Sequence, residues 1–352
     1  MKANSPVIRE DIDFIIGSID DWSPFSGATV LVSGASGFIP AYMVEVLLAL
    51  NERGICRNTE VIGVVRNIEK ARSRFADYAG SSDLRLIAHD VNMPLVHPGK
   101  VDFIVHAASQ ASPKYYGTDP VGTLSANVIG TYNLLELARK KNTRDFLFFS
   151  SGEVYGEVDE SRMPIKEEWY GYVDPVNVRS CYAESKRMGE TMCVSWSHQF
   201  GIPVKIVRPF HTYGPGMNLG DGRVFADFIA DVVQGRDIVM KSDGSALRAF
   251  CYLSDATVGF FKVLLNGGNC EAYNVGNDKG EVSILQLASI LVGLSPARGL
   301  KVIRQEIPSG GGYLRSRISR ACPDISKIRG LGWEPRYTVE EGFARTVRSF
   351  LQ

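Results

Sequence analysis

Tyr182 and Lys186 have the spacing with the clearest chemical meaning in this sequence. They stand four positions apart, so a helix places both side chains on one face. A tyrosine can take the proton of a substrate alcohol while hydride leaves the same carbon. Its pKa is about 10 in isolation, and we expect the Lys186 ammonium and an oxidised nicotinamide to lower that pKa. By itself this spacing is a weak signal, but together with a serine hydroxyl and a glycine-rich turn earlier in the chain it predicts a redox site in which Lys186 also holds the nicotinamide ribose.

Ser151 supplies a hydroxyl that suits the same chemistry. It stands about 30 residues before the tyrosine, directly after a predicted strand. In that place it can share a hydrogen bond with the substrate oxygen that Tyr182 deprotonates.

A glycine-rich turn lies about 150 residues before Tyr182. Gly34 and Gly37 follow a predicted strand and open a predicted helix. Glycine there lets backbone N–H groups approach a pyrophosphate, and the helix N-terminus stabilises negative charge. Pro40 takes the place of a third glycine. Proline suits the first turn of a helix, but it leaves open how closely that helix packs on the sheet.

The ends of the next strands predict further cofactor contacts. Arg66 follows the second strand, where an acidic residue would favour NAD and an arginine favours the 2′-phosphate of NADP. Asp90 and Val91 follow the third strand and are expected beside the adenine. Small residues after the fourth strand leave room for the cofactor: Ala107, Ala108 and Ser109.

Short apolar runs alternate with helical segments from residue 28 onward. This alternation predicts an α/β fold, a Rossmann-like doubly wound parallel sheet. The predicted strands are 29–33, 60–65, 84–88, 103–106, 146–150 and 204–207, and the predicted helices are 40–51, 68–78, 121–140 and 182–200.

The pattern of apolar residues and turn signals changes along the chain, and from these changes we expect three parts. Residues 1–27 form an N-terminal extension with one amphipathic helix over 8–19. Residues 28–211 form the NAD(P)-binding domain with the catalytic residues. Turn signals multiply afterwards, and 212–352 form a smaller C-terminal substrate-binding lobe whose chain returns to the sheet near 271–275. Residues 309–312, Ser-Gly-Gly-Gly, are expected to form a flexible loop at the substrate mouth.

Composition excludes several classes of partner. The 352 residues carry a formal net charge of +0, which argues against nucleic acid or an anionic membrane as the main partner. The 6 cysteines show no C-x-x-C spacing and are expected to be reduced thiols, with no metal site apparent. No apolar run reaches the roughly 18 residues of a spanning helix, and the N-terminus lacks a signal-peptide core. We therefore expect a cytoplasmic protein.

With these motifs the sequence resembles the extended short-chain dehydrogenase/reductase family, in particular its nucleotide-sugar epimerases, dehydratases and decarboxylases. The resemblance runs from about residue 28 to the C-terminus. It rests on Gly34-Ala-Ser-Gly37-Phe-Ile, His106-Ala-Ala, Asn127-Val-Ile-Gly-Thr, Ser150-Ser-Gly-Glu-Val-Tyr-Gly156, Tyr182-Ala-Glu-Ser-Lys186, Arg208-Pro-Phe-His-Thr-Tyr-Gly-Pro215 and Arg248-Ala-Phe-Cys-Tyr-Leu-Ser-Asp255.

The resemblance implies a tightly held NAD(P)+ that is reduced and reoxidised within one turnover. It also implies a nucleoside-diphosphate sugar as substrate and a homodimer built on two helices per subunit. Further cofactor contacts implied by the motifs are Ser36, Phe38, Ile39, Asn127, Ser150 and Pro209.

The segment Ser151-Gly152-Glu153 bears on which reaction is catalysed. In this family a 4-ketone forms first, and it acidifies C5–H or makes a C5 carboxylate a β-keto acid that loses CO2. The 4,6-dehydratases carry an aspartate where this chain has Gly152. The UDP-glucuronate decarboxylases have a hydroxyl residue, a small residue and a glutamate in this order, and the segment in this chain is similar to that pattern. A 4-epimerase or 4,6-dehydratase of surface polysaccharide biosynthesis remains the alternative, and outside enzymes a catalytically silent cofactor-binding sensor.

The resemblance also implies a set of substrate contacts. Arg248 is expected to clamp a carboxylate or the diphosphate, because a guanidinium binds either in a bidentate way. His211 stands where the family usually has an asparagine that binds the diphosphate. The predicted substrate contacts are Ser151, Glu153, His211, Arg223 and Arg248.

Overall fold

The computed structural model describes residues 5–305 and 318–351, so the predicted loop at 309–312 lies outside the described residues. The described strands are β1 (Thr29–Ser33), β2 (Glu60–Val65), β3 (Leu84–Ala88), β4 (Phe103–His106), β5 (Asp145–Phe149), β6 (Val204–Pro209), β7 (His211–Tyr213), β8 (Ile238–Met240), β9 (Leu247–Tyr252), β10 (Glu271–Val275), β11 (Glu281–Ser283), β12 (Val302–Arg304) and β13 (Arg320–Ala321). The helices are α1 (Pro6–Gly17), α2 (Phe38–Glu52), α3 (Ile68–Arg74), α4 (Pro113–Thr118), α5 (Pro120–Lys141), α6 (Cys181–Phe200), α7 (Val224–Gln234), α8 (Leu253–Asn266), α9 (Ile284–Gly293), α10 (Ser326–Arg329) and α11 (Val339–Leu351).

Seven strands form one parallel sheet in the order β10-β6-β5-β4-β1-β2-β3. The predicted doubly wound sheet is thereby confirmed. Strand β1 lies between β4 and β2, so the chain builds the sheet outward in both directions from this point. In such sheets ligands bind beyond the carboxyl ends of the strands at the point where the order reverses. The loops after β1 and β4 therefore define the place to search for a site.

Helix α2 packs closely on the sheet despite the proline near its start. It begins at Phe38, two residues before the predicted bound, and Pro40 lies inside its first turn. All 11 residues from Pro40 to Leu50 are buried. A proline is tolerated there because the first N–H groups of a helix have no partner within it.

The N-terminal extension is held by a buried carboxylate. Helix α1 packs on α2, α8 and α11. Asp11 on its inner face accepts hydrogen bonds from the hydroxyls of Tyr42 (3.2 Å) and Tyr252 (2.8 Å). It also pairs with Arg345 at 2.7 Å. Because these partners lie on α2, β9 and α11, one side chain of the extension connects the cofactor half with the C-terminal part of the chain.

The C-terminal part is built around β9, which pairs with β7, β11 and β13. Helices α7, α9 and α11 cover this small sheet with one apolar cluster. Strand β9 carries Arg248 and its neighbour β7 carries His211, so pairing brings the two predicted substrate contacts to one surface. Among the described helices, none has the length and apolar character needed to cross a membrane.

Candidate active site

The glycine turn after β1 touches the loop after β4. Gly34 has φ +69°, a conformation that favours glycine, and a Cβ there would lie 2.8 Å from the Cα of Ala108. The N-cap of α2 is Gly37, which has no side chain that could form a capping hydrogen bond. The first N–H groups of a 15-residue helix are thus presented without a side-chain cap, as a bound pyrophosphate requires.

A serine that the sequence analysis did not select joins the two loops. The hydroxyl oxygen of Ser33 accepts hydrogen bonds from the N–H groups of Ala107 and Ala108, both at 3.1 Å. It lies 2.8 Å from Nδ1 of His106 and therefore donates its own proton to that nitrogen. Burial, with the charge of Lys186 acting in the same direction, lowers the pKa of His106 to about 3. The neutral ring then donates from Nε2 to Thr131, 3.0 Å away.

Two predicted cofactor contacts carry buried polar atoms without partners among the described residues. These atoms are Oγ of Ser109 and Oδ1 of Asn127, while Nδ2 of Asn127 donates to Ser185 at 2.9 Å. A buried polar atom left unpaired is costly, so these atoms fit a polar ligand such as a dinucleotide. Arg66 and Asp90 are exposed beyond β2 and β3.

The other predicted cofactor contacts surround the same edge of the sheet. Half-buried residues at the start of α2 and the end of β6 are Ser36, Phe38, Ile39 and Pro209. Val91 is buried and its carbonyl accepts a hydrogen bond from Asn133 at 2.8 Å. Ser150 is buried and donates to a glutamate on α6. The residues present therefore form a cradle that fits a dinucleotide.

Helix α6 buries both Tyr182 and Lys186 beside the end of β5. Nζ of Lys186 lies 5.8 Å from the centre of the Tyr182 ring and donates to the carbonyl of Phe149 at 2.6 Å. Ser151 follows β5, and its hydroxyl accepts the N–H of Glu153 at 3.1 Å. The three catalytic groups predicted from spacing therefore lie together.

The electrostatics of the pair differ from the sequence-based expectation. Burial raises the pKa of Tyr182 to about 12, and only a hydrogen bond with Ser151 and the charge of Arg223 act in the opposite direction. Burial also lowers the pKa of Lys186 to about 7. The prediction that Lys186 lowers the pKa of the tyrosine is wrong for this structure. The lysine points to a backbone carbonyl, and desolvation disfavours the charged form of both groups.

An aromatic and charged wall faces Tyr182. The Tyr116 ring stacks on it with centroids 5.1 Å apart and planes inclined by 17°. The guanidinium of Arg179 lies 5.7 Å from the centre of the Tyr116 ring. Sequence reasoning assigned no role to either residue, because nothing in the run around Tyr116 indicates that it meets α6.

Three of the five predicted substrate contacts follow β6 in the chain: one on β7, one directly before α7 and one on β9. Arg223, before α7, donates to the carbonyl of Ala111 at 3.0 Å. Nδ1 of His211 is buried without a partner among the described residues, and burial lowers its pKa to about 3, with the charges of Arg248 and Arg223 acting in the same direction. Arg248 donates to the carbonyls of Ile318 and Ser319 at 2.8 and 3.1 Å. In this structure its guanidinium thus binds backbone oxygen atoms.

Comparison with known families decides the broad identity. The sequence profile of the NAD dependent epimerase/dehydratase family matches residues 30–276. The chain belongs to this family. Membership confirms the resemblance drawn from the motifs, and with it the enzyme class and the NAD dependence that the family shares.

Individual proteins that are similar to this chain agree with the family assignment. UDP-glucuronic acid decarboxylase 3 of Arabidopsis thaliana is 37% identical over 91% of this chain and 88% of its own length. A dTDP-glucose 4,6-dehydratase of Streptomyces venezuelae, solved with NAD bound, is 25% identical with a TM-score of 0.77, over 92% of this chain and 96% of its own. UDP-glucuronic acid 4-epimerase of Bacillus cereus has a TM-score of 0.75 at 22% identity, over 92% and 98% of the two chains. At 22% identity, the similarity to the epimerase shows only that the two proteins share a fold.

Proposed function

We propose that this protein decarboxylates a nucleoside-diphosphate uronic acid through a 4-keto intermediate, most like UDP-glucuronate decarboxylase. One observation carries the choice of reaction. A Cβ added at Gly152 would lie 3.2 Å from ring atoms of Phe210, so the position leaves little room for a longer side chain. A dehydratase needs an acidic side chain there, and its absence favours decarboxylation at C6 over loss of water.

The first half-reaction would use the groups on α6 and after β5. NAD, when bound, supplies the acceptor for a hydride from sugar C4. Tyr182 would accept the proton of the C4 hydroxyl as its phenolate, a form that the positive charge of the bound nicotinamide would favour, while Ser151 holds the same oxygen by a hydrogen bond. Lys186 would hold the nicotinamide ribose. The hydroxyl loses one proton and the carbon one hydride, which leaves a ketone.

The second half-reaction breaks the bond between C5 and C6. The electron pair of that bond moves toward the C4 ketone as CO2 leaves, and C5 then takes a proton before C4 is reduced again. Glu153 is the carboxyl group that we assign to this stage. We assign His211, Arg223 and Arg248 to the charged part of the nucleotide sugar, for which Arg248 must exchange backbone oxygens for ligand oxygens.

We infer the division of the chain into an extension (1–27), a cofactor domain (28–211) and a substrate lobe (212–352).

The assembly that fits this chain is a cytoplasmic homodimer. The inference of a dimer is supported by exposed apolar side chains on two neighbouring helices, α5 and α6. They include Val121, Leu124, Ile129, Tyr132, Met188 and Val194. A second copy placed on this face would cover them.

Incubation with UDP-glucuronate tests the reaction. We expect release of CO2 and a pentose nucleotide identified by NMR. UDP-galacturonate without CO2 would instead indicate a 4-epimerase. No conversion of any nucleotide sugar by protein that holds its cofactor would favour a sensor.

A further inference from the structure

An ion pair between a fully buried arginine and a largely buried glutamate lies beneath the candidate active site. Arg208 on β6 is 1% exposed. Its Nε and Nη2 atoms donate to the two carboxylate oxygens of Glu190 at 2.8 and 2.6 Å. Nη1 donates to the hydroxyl of Tyr155 and the carbonyl of Glu167, both at 2.8 Å, and Nη2 also donates to Tyr170 at 3.1 Å. All five N–H donors of the guanidinium are therefore used, which fixes the orientation of Glu190.

Glu190 and Arg208 contact both ends of the segment that carries Ser151 and Glu153. The hydroxyl of Ser150, directly before that segment, donates to Oε1 of Glu190 at 2.5 Å. Tyr155, directly after it, accepts the hydrogen bond from Arg208. The ion pair between Arg208 and Glu190 therefore contacts the residues that flank this segment on both sides.

Glu190 also lies one helical turn beyond Lys186 on the same face of α6. The remaining surroundings of Lys186 supply little charge. Its ammonium faces the Phe148 ring at 5.1 Å and the carbonyl of Phe149 on β5. On its own helix, Tyr182 is neutral at neutral pH because burial raises its pKa.

Two further titratable groups face Lys186, and both are neutral. Burial lowers the pKa of His106, on β4, to about 3. Burial raises the pKa of Cys193, on α6, well above its usual range. Burial lowers the pKa of Lys186, whereas Cys193 and Glu190 act in the opposite direction and raise it. Because the thiol carries no charge at neutral pH, Glu190 provides the negative charge among the described groups that face this lysine.

We propose that Glu190 is a positioning residue for the first oxidation: held by Arg208, it anchors the Ser151 segment and keeps Lys186 charged. The proposal rests on the proposed function, in which Ser151 and Lys186 serve that step. It assigns two separable roles, one geometric through Ser150 and one electrostatic through Lys186.

Glu190→Gln tests the electrostatic role, because the amide keeps the size and an acceptor oxygen but removes the charge. The bound cofactor is reduced by UDP-glucuronate in a single turnover and followed by the absorbance of reduced nicotinamide. A fall of one unit in the lysine pKa gives roughly a tenfold loss of the charged form above that pKa. Starting from a wild-type pKa of about 7, we therefore expect roughly fivefold slower reduction at pH 7 and roughly tenfold slower reduction well above it, with the ratio to wild type recovering as the pH is lowered.

Ser150→Ala tests the geometric role. It removes the anchor but keeps the charge, so we expect slower reduction by a factor that does not change with pH. Asp145→Asn is the matched control. Asp145 pairs with Lys205 across the same two strands at their opposite end, and its loss is expected to lower stability while the folded enzyme reduces cofactor at the wild-type rate.

A direct titration separates this proposal from the proposed function. The pKa of Lys186 is measured by NMR in protein with 13C-labelled lysine, assigned with Lys186→Met. We expect a lower pKa in Glu190→Gln than in wild type and no change in Asp145→Asn. An unchanged pKa in Glu190→Gln, or a loss of rate that is equal at every pH, would overturn the electrostatic role. Failure of wild type to oxidise any nucleotide sugar, with the pKa shifted as expected, would overturn the reaction and leave the lysine assignment standing.

Discussion

Nη2 of Arg179 lies 3.8 Å from Oε1 of Glu153, and the same guanidinium faces the Tyr116 ring that stacks on Tyr182. The proposed base and the glutamate of the Ser-Gly-Glu segment are therefore connected through one arginine and one tyrosine. The side chain of Glu153 is 36% exposed, against 19% for Arg179, so the carboxylate can reach a ligand while its partner stays in place.

Glu153→Gln should separate the two half-reactions. The amide keeps the shape but cannot exchange a proton, so C4 oxidation should continue within a few-fold of wild type. Release of CO2 and formation of product should fall by about 100-fold or more. Stopped-flow absorbance of reduced nicotinamide and trapped CO2 measure the two steps. Equal losses in both would contradict the assignment of Glu153 to the later step.

Tyr182→Phe should abolish reduction of the cofactor by substrate while the cofactor stays bound. Loss of a general base typically costs about 10²–10⁴-fold in rate, and here the substrate oxygen retains only Ser151. Cofactor content by absorbance after denaturation, together with single-turnover reduction, checks both halves. Tyr116→Phe, which keeps the stack and loses only a hydrogen bond to the carbonyl of Ala111, should lose far less. Substantial oxidation by the Tyr182 variant would show that another group takes the proton.

Gly34→Ala should remove the bound cofactor. The left-handed backbone strains alanine by about 1–3 kcal/mol, and the new Cβ meets Ala108 at 2.8 Å. Gly54→Ala is the matched control, because Gly54 has φ +67° but nothing within 4 Å of the added Cβ. We expect similar backbone strain in both variants and loss of NAD only at position 34, measured by equilibrium titration. Equal affinity for NAD in the two variants would contradict the predicted role of this turn.

Asp11→Ala should weaken the attachment of the N-terminal helix. Arg345 keeps its pair with the exposed Glu10 but loses its buried partner, and two tyrosine hydroxyls lose an acceptor. Each buried polar group left unsatisfied typically costs about 1–3 kcal/mol. Asp13, on the same helix as Asp11, forms an exposed pair with Arg53 after α2, and Asp13→Ala should cost less than about 1 kcal/mol. Urea denaturation of both variants gives the free energies of unfolding. Costs of similar size in the two variants would contradict the assignment of Asp11 as the residue that attaches this helix.

The sheet and the grouping of the proposed catalytic residues on one helix face were predictable from the sequence because they depend on neighbours along the chain. Apolar runs define the strands, and a spacing of four places Tyr182 and Lys186 on one face of a helix. Small differences at element ends have local causes. Strand β5 starts at Asp145, one residue early, because Asp145 pairs through its backbone with Phe103 on β4. Helix α3 ends at Arg74 and continues only as a short turn over 76–78.

Residue types and spacing by themselves determined the fold class and the family, and they predicted the place of the candidate active site. The tertiary structure decided which distant residues meet there, such as Ser33 with Ala108 and Arg208 with Glu190. It also decided the charges. The sequence suggested a tyrosine activated by its lysine, whereas burial raises the pKa of Tyr182 and lowers that of Lys186. Desolvation depends on everything that surrounds a group in space, and no local pattern records it.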